Sequence, residues 1–215
     1  MAAGVRGALP EEALTALVHA LLQRREEAYP ALRLLALSAA ASASFGAAIG
    51  AYVGGLQILY GAVKMPLFFL GTLGISFAAM HLFAARDLRA GRTFATALET
   101  IATTAVVLGA LAPIVALVSL TAPKPSGYPS LILLLTASVA AGGAAGVVRL
   151  HRRLGSWRLT ATWVVLYQFT GAQMGWLLKP WVSHTLRADR FLPLRENLNG
   201  NFYESVFRTA CGLFS

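Results

Sequence analysis

Cysteine, acidic side chains and charge of any kind are scarce in this chain, and each scarcity excludes something. The single cysteine, Cys211, rules out an intramolecular disulfide. Four scattered histidines give no metal-ligand spacing, and nine Asp and Glu among 215 residues give no paired carboxylates for acid–base chemistry. Walker-type loops, HExxH and GxSxG are missing as well. The expectation is therefore a chain with no catalytic residues, no cofactor and no bound metal. Charged residues make up 13% of the chain, about half the ~25% usual in a soluble domain. No alternating apolar and polar runs mark the strands of a barrel.

What fills the chain is apolar sequence, 57% of it with a mean hydropathy of +0.64. Five stretches, at 31–54, 61–84, 96–120, 129–149 and 160–178, approach the ~20 residues that a helix needs to cross a bilayer. Lipid satisfies no backbone polar group, so such stretches must be helical. The expected fold is all-α, an integral membrane bundle of five transmembrane helices over 31–178. An amphipathic helix within 1–30 precedes it, and a tail with a short amphipathic helix occupies 179–215. Arg33, Leu34 to Leu37 and the Ala-Ser-Ala at 41–43 imitate a cleaved signal. The preceding region is too long for a signal's short basic start, and the stretch reads as a retained span.

The net charge of +9 lies beside the spans and forms no single basic face, which argues against nucleic acid as a partner. Arg6, Arg24, Arg25 and Arg33 flank the first span, Arg86, Arg89 and Arg92 the second linker, and Arg149, Arg152, Arg153 and Arg158 the fourth. These eleven face only Lys64 and Lys124 on the other linkers. Positive residues stay on the cytoplasmic side, so the N-terminus is expected inside a bacterial inner membrane. Five crossings would put Lys179, Arg187, Arg190, Arg195 and Arg208 outside, unless the fifth segment is re-entrant.

Before the first span, Leu14, Leu17, Val18, Leu21 and Leu22 form one helical stripe, bounded by Pro10 and Pro30. Its opposite face is rich in glutamate, unlike the Lys- and Arg-rich face of a lipid-binding helix, which favours contact with a protein partner. In the tail, Asn201 and Glu204 read as a helix start, with Phe202, Tyr203 and Val206 as a further partner surface or as packing on the bundle.

Within the spans, Gly46, Gly50 and Gly54 recur every four residues, as do Gly142 with Gly146 and Gly171 with Gly175, a spacing that lets helices approach closely. Thr96 and Glu99 have the spacing of a capping box, and a proline at 113 is expected to kink the third span. Lys64 ahead of Pro66 reads as a snorkelling cation at a helix start, with His81 near the far end of that span. The fifth segment is the most polar. Its Gln168, Thr170 and Gln173 serve either as interhelical glue or as the lining of a path, and Gln168, Gly171 and Gly175 share a face.

Gln173-Met174-Gly175-Trp176-Leu177-Leu178-Lys179-Pro180, followed by Arg195-Glu196 and Asn201-Phe202-Tyr203, resembles a poorly characterised group of bacterial multispan membrane proteins. That group pairs a Q-x-G-W-x-x-[RK]-P span end with an R-E…N-F-Y tail. Lys64 to Leu70 also resembles its second span, and the likeness covers most of 50–207. More loosely, the five-span layout with Gly91-Arg92-Thr93-Phe94 before the third span and Pro113 within it is similar to that of Yip1-like proteins, which implies trafficking or scaffolding. The expected function is a non-catalytic membrane subunit, anchor or scaffold, its partners membrane lipid, other protein subunits or a second copy of itself. The alternative is a small oligomeric channel or transporter.

Overall fold

The structure is a computed structural model that describes residues 31–83, 89–124, 126–179, 191–192 and 203. All regular elements among them are helices: α1 (Ala31–Gly50), α2 (Leu56–Phe83), α3 (Ala90–Thr121), α4 (Tyr128–Leu154) and α5 (Trp157–Leu177). The first four are long and apolar enough to cross a membrane. The stripe of Leu14, Leu17, Val18, Leu21 and Leu22 lies outside the described residues, as do Phe202, Val206 and Cys211.

α3 is the most widely shared helix, packing on α1, α4 and α2; α1 also packs closely on α2, and α5 docks mainly on α2. The shared core includes Phe45, Met80, Ala102, Ala105 and Val115, all fully buried. Outward faces carry apolar residues such as Leu59, Leu70, Leu117, Leu133 and Val165, each more than 40% exposed, as a chain embedded in lipid requires. Most Ser and Thr hydroxyls inside the bundle bond to carbonyls of their own helices, while the buried hydroxyls of Ser119 and Tyr52 have no partner among the described residues. Ser42 donates to Ser38 O at 2.6 Å, Thr72 to Phe68 O at 2.6 Å and Thr103 to Glu99 O at 2.8 Å. Such back-bonding lets a helix carry Ser and Thr through an apolar medium without orphaned donors.

Small residues set the tightest contacts. A Cβ on Gly46 would overlap the Gly61 carbonyl, one on Gly61 the Gly46 carbonyl, and one on Gly50 the Gln57 carbonyl, so the α1 and α2 backbones touch. Gly54 does not extend that face. With Gly55 it makes a left-handed turn, φ +86° and +56°, which ends the α1 segment and starts α2 five residues earlier than the apolar pattern implies. On α4, Gly142 faces Leu108 and Gly146 faces the Thr104 hydroxyl. On α5, Gly171 makes ordinary contact with Phe68, and Gly175 has nothing within 4 Å of a Cβ position. Pro113 sits inside α3 without ending it.

α3 also begins earlier than expected, at Ala90, so Thr96 and Glu99 are no capping box. Thr96 is already helical and donates its hydroxyl to Arg92 O at 2.9 Å. Lys64 likewise lies well inside α2, only 1% exposed, instead of reaching the outer surface.

Candidate functional site

Three features mark the bundle: two lie where α3 begins and α4 ends, and the third runs from that half past the middle toward Ile49 and Gly175 at the other end. The first is an ion cluster. Glu99 is 4% exposed and faces α4, where Arg149 and Arg153 stand one turn apart on the same helical face. Arg153 clasps the carboxylate with two bonds, Nε to Oε2 at 2.7 Å and Nη2 to Oε1 at 2.8 Å. Arg149 adds Nη2 to Oε2 at 2.8 Å, while its Nε is buried without a partner. One carboxylate thus serves two guanidiniums, and the cluster carries a formal surplus of one positive charge. Gly155 ends α4 just beyond, with φ +64° and its N–H donating to His151 O at 2.8 Å. His151, Arg152 and Arg153 occupy the last helical turn, where cations complement the helix dipole.

Beside this cluster lies the second feature, a cavity of about 420 Å³ between the start of α1, the start of α3 and the end of α4. Ala31, Leu34 and Phe94 form its apolar side, and Arg92, Arg152 and Arg153 its cationic side. Arg92 and Arg152 are exposed, and Arg153 keeps 23% of its side chain open.

The third feature is a cleft of about 440 Å³ that opens sideways between α4 and α5. Phe45, Phe69 and Ile101 are among the residues lining it, and Val139 on α4 and Gln168 on α5 are its exposed members. Its threonines, Thr100 and Thr104, spend their hydroxyls on Thr96 O and Thr100 O at 2.8 and 3.1 Å. Of the polar trio expected on the fifth segment, Gln168 lines this cleft with Gly171 and Gly175 on the face their spacing implies. Thr170 is buried and bonds to Leu166 O at 2.9 Å within its own helix. Gln173 is half-buried and does not line the cleft.

Away from these features, Lys64 Nζ stands 5.6 Å from the ring centre of Phe191, which packs edge-on against Tyr60 at 5.2 Å. Tyr203 stacks on Phe169 at 4.9 Å and donates its hydroxyl to Phe169 O at 3.2 Å. Phe169 lies near the middle of α5, so these tail residues return to the side of the bundle. His81 stacks on Phe77 at 5.9 Å.

Arg149 and Arg153 were legible only as topology signals. Their i, i+4 spacing puts both on one face of α4, but nothing in the sequence pairs that face with Glu99. Gly61 and Gly109 were missed because neither belongs to a glycine repeat on its own helix; a Cβ at Gly109 would press on Ala41 at 2.9 Å. Among the described residues no His, Cys, Asp and Glu group could hold a metal ion. No family model matches this chain, and neither a curated protein nor a solved structure matches it.

Proposed function

We propose that this chain is a non-catalytic integral membrane subunit, an anchor or scaffold for a larger membrane-associated assembly. In this reading five helices cross the bacterial inner membrane with the N-terminus in the cytoplasm. α5 contributes the fifth crossing: its 21 residues extend about 31 Å at the helical rise, against a hydrocarbon thickness of ~30 Å. Its lower hydropathy reflects Thr, Gln and Tyr side chains turned partly to the bundle. The arginine asymmetry sets the orientation, placing the ends of α2 and α4 and the start of α3 inside.

One observation carries the scaffold reading, the cationic cavity between α1, α3 and α4. Glu99 is already held by Arg149 and Arg153, which leaves Arg92 and Arg152 to face the cytoplasm around a concave, part-apolar surface. A partner presenting an acidic segment with one apolar anchor fits that chemistry. Exposed charges of this kind contribute mainly encounter rate and specificity, and the apolar side supplies the anchor's burial.

The test is co-purification after mild detergent extraction, comparing the unaltered protein with an Arg92→Glu/Arg152→Glu variant. The reading expects a defined set of soluble partners with the unaltered chain and their loss in the variant, with membrane extraction unchanged. Partners that stay bound to the charge-reversed variant would overturn the docking role. A ring of this chain alone, with no other subunit, would favour the channel.

A further inference from the structure

We infer that the basic cavity between α1, α3 and α4 is a site for a phosphate dianion, carried by a lipid headgroup or free in the cytoplasm. Its regulatory consequence rests on the scaffold reading. Phosphate and the acidic segment need the same guanidiniums, so a bound phosphate keeps that segment out.

The first argument is a deficit of acceptors. Glu99 is the carboxylate that lines the cavity, and its two oxygens already take bonds from Arg149 and Arg153. Arg149 Nε, in a residue 6% exposed, still has no partner. Arg92 and Arg152 form no ion pair with another described residue. Adding these two cations to the cluster's surplus of one leaves three uncompensated positive charges around the cavity. A carboxylate would offset one of them. A phosphate monoester offsets up to about two and presents about three acceptor oxygens, which arginine forks bind in bidentate fashion.

Position is the second argument. The lining comes from the first ten residues of α3, the first four of α1 and the last turn of α4. The 32 residues of α3 extend about 48 Å against a hydrocarbon thickness of ~30 Å, so a crossing α3 holds its arginine-bearing start among the headgroups. Basic pockets between helices at that level suit lipid phosphates. Ala31, Leu34 and Phe94 on the other wall suit the glycerol and first carbons of a lipid. The backbone adds to the donors: Arg89 caps α3 without a side-chain hydrogen bond, and helix N-termini favour anions. Gly91 lines the cavity with nothing within 4 Å of a Cβ position, which leaves the backbone open to approach.

The test follows thermal unfolding of the purified full chain in a neutral detergent at matched ionic strength. Inorganic phosphate against chloride probes the free ion. Phosphatidic acid against phosphatidylglycerol, at equal mole fraction, probes the headgroup, since only the former carries a phosphate monoester. The inference expects Tm to rise by about 3–6 °C at roughly ten times the half-saturating concentration in at least one arm. Arg92→Gln/Arg152→Gln should abolish the rise, with its Tm in chloride as the check on folding. Arg158→Gln, exposed on α5 and outside the cavity, should keep it. A rise with phosphatidic acid alone supports a lipid phosphate, and a rise with inorganic phosphate alone supports the free ion. No rise in either arm, an equal rise with phosphatidylglycerol, or a rise that survives loss of both arginines would overturn the inference. No partner is present in this assay, so its failure is distinct from a failure of the scaffold reading, which co-purification decides.

Discussion

Replacing Glu99 with alanine gives the sharpest test of the ion cluster. The substitution removes a carboxylate that makes three bonds of 2.7–2.8 Å and leaves Arg149, with 7% of its side chain exposed, beside Arg153 with no counter-charge. Removing one partner of a buried pair costs ~3–5 kcal/mol, because the remaining charge cannot recover its hydration. Arg153 can turn its 23% exposed side chain toward the basic cavity, which places the expected loss near the lower end of that range. For a chain of this size ~3 kcal/mol corresponds to about 6–12 °C in Tm. The opposite substitution, Arg149→Met, should behave quite differently. It removes the surplus charge and a buried Nε with no partner, and it leaves Glu99 clasped by Arg153, so the expected change is under ~1 kcal/mol. The assay is thermal unfolding in one detergent, following the helical signal for both variants and for Glu99→Ala/Arg149→Met. If Glu99→Ala unfolds within ~2 °C of the unaltered protein, or if Arg149→Met proves the more damaging, the cluster does not hold α3 to α4 as argued.

Gly46→Val should cost at least ~1–3 kcal/mol, because its side chain would enter the Gly61 carbonyl and no rotamer relieves a clash with backbone; Gly175→Ala, with open space at its Cβ, should be tolerated or slightly stabilising. Both are read from yield and thermal unfolding. In a Cys211→Ser background, cysteine at Ser126 should react with an impermeant maleimide in intact spheroplasts, and cysteine at Ser156 only after permeabilisation. The reverse pattern would invert the orientation drawn from the arginines. Deleting residues 1–28 should leave extraction from the membrane unchanged and remove co-purifying partners; partners kept by the shortened chain would assign the glutamate-rich segment another role.

Membrane character was the most legible property, since an apolar run of the right length has few alternatives and the four longest runs did become helices fit to span. Helix ends were less legible. The α2 start was hidden because Leu56 to Tyr60 is apolar enough to belong to either neighbour, and only the two left-handed glycines decide the boundary. The α3 start was misread because Thr96 and Glu99 have capping spacing, yet both side chains have other partners six and nine residues into a continuous helix. Of the candidate site, the cleft-facing stripe of Gln168, Gly171 and Gly175 could be read from helical periodicity. The ion cluster could not, because Glu99 meets residues 50 and 54 positions away and sequence spacing carries no information across that distance.

The backbone contact between α1 and α2 bears on how the chain assembles as it is made. Gly46 and Gly61 are only fifteen residues apart, so their meeting closes a short loop and has the low contact order that favours rapid folding. Synthesis at ~5–20 residues per second takes roughly 5 to 20 seconds to run from Phe83 to the end of α5. Throughout that interval α1 and α2 can already stand as a closed hairpin. α3 then arrives at a prepared surface, where Gly109 settles against Ala41, and each later helix has a template in place before it leaves the insertion machinery.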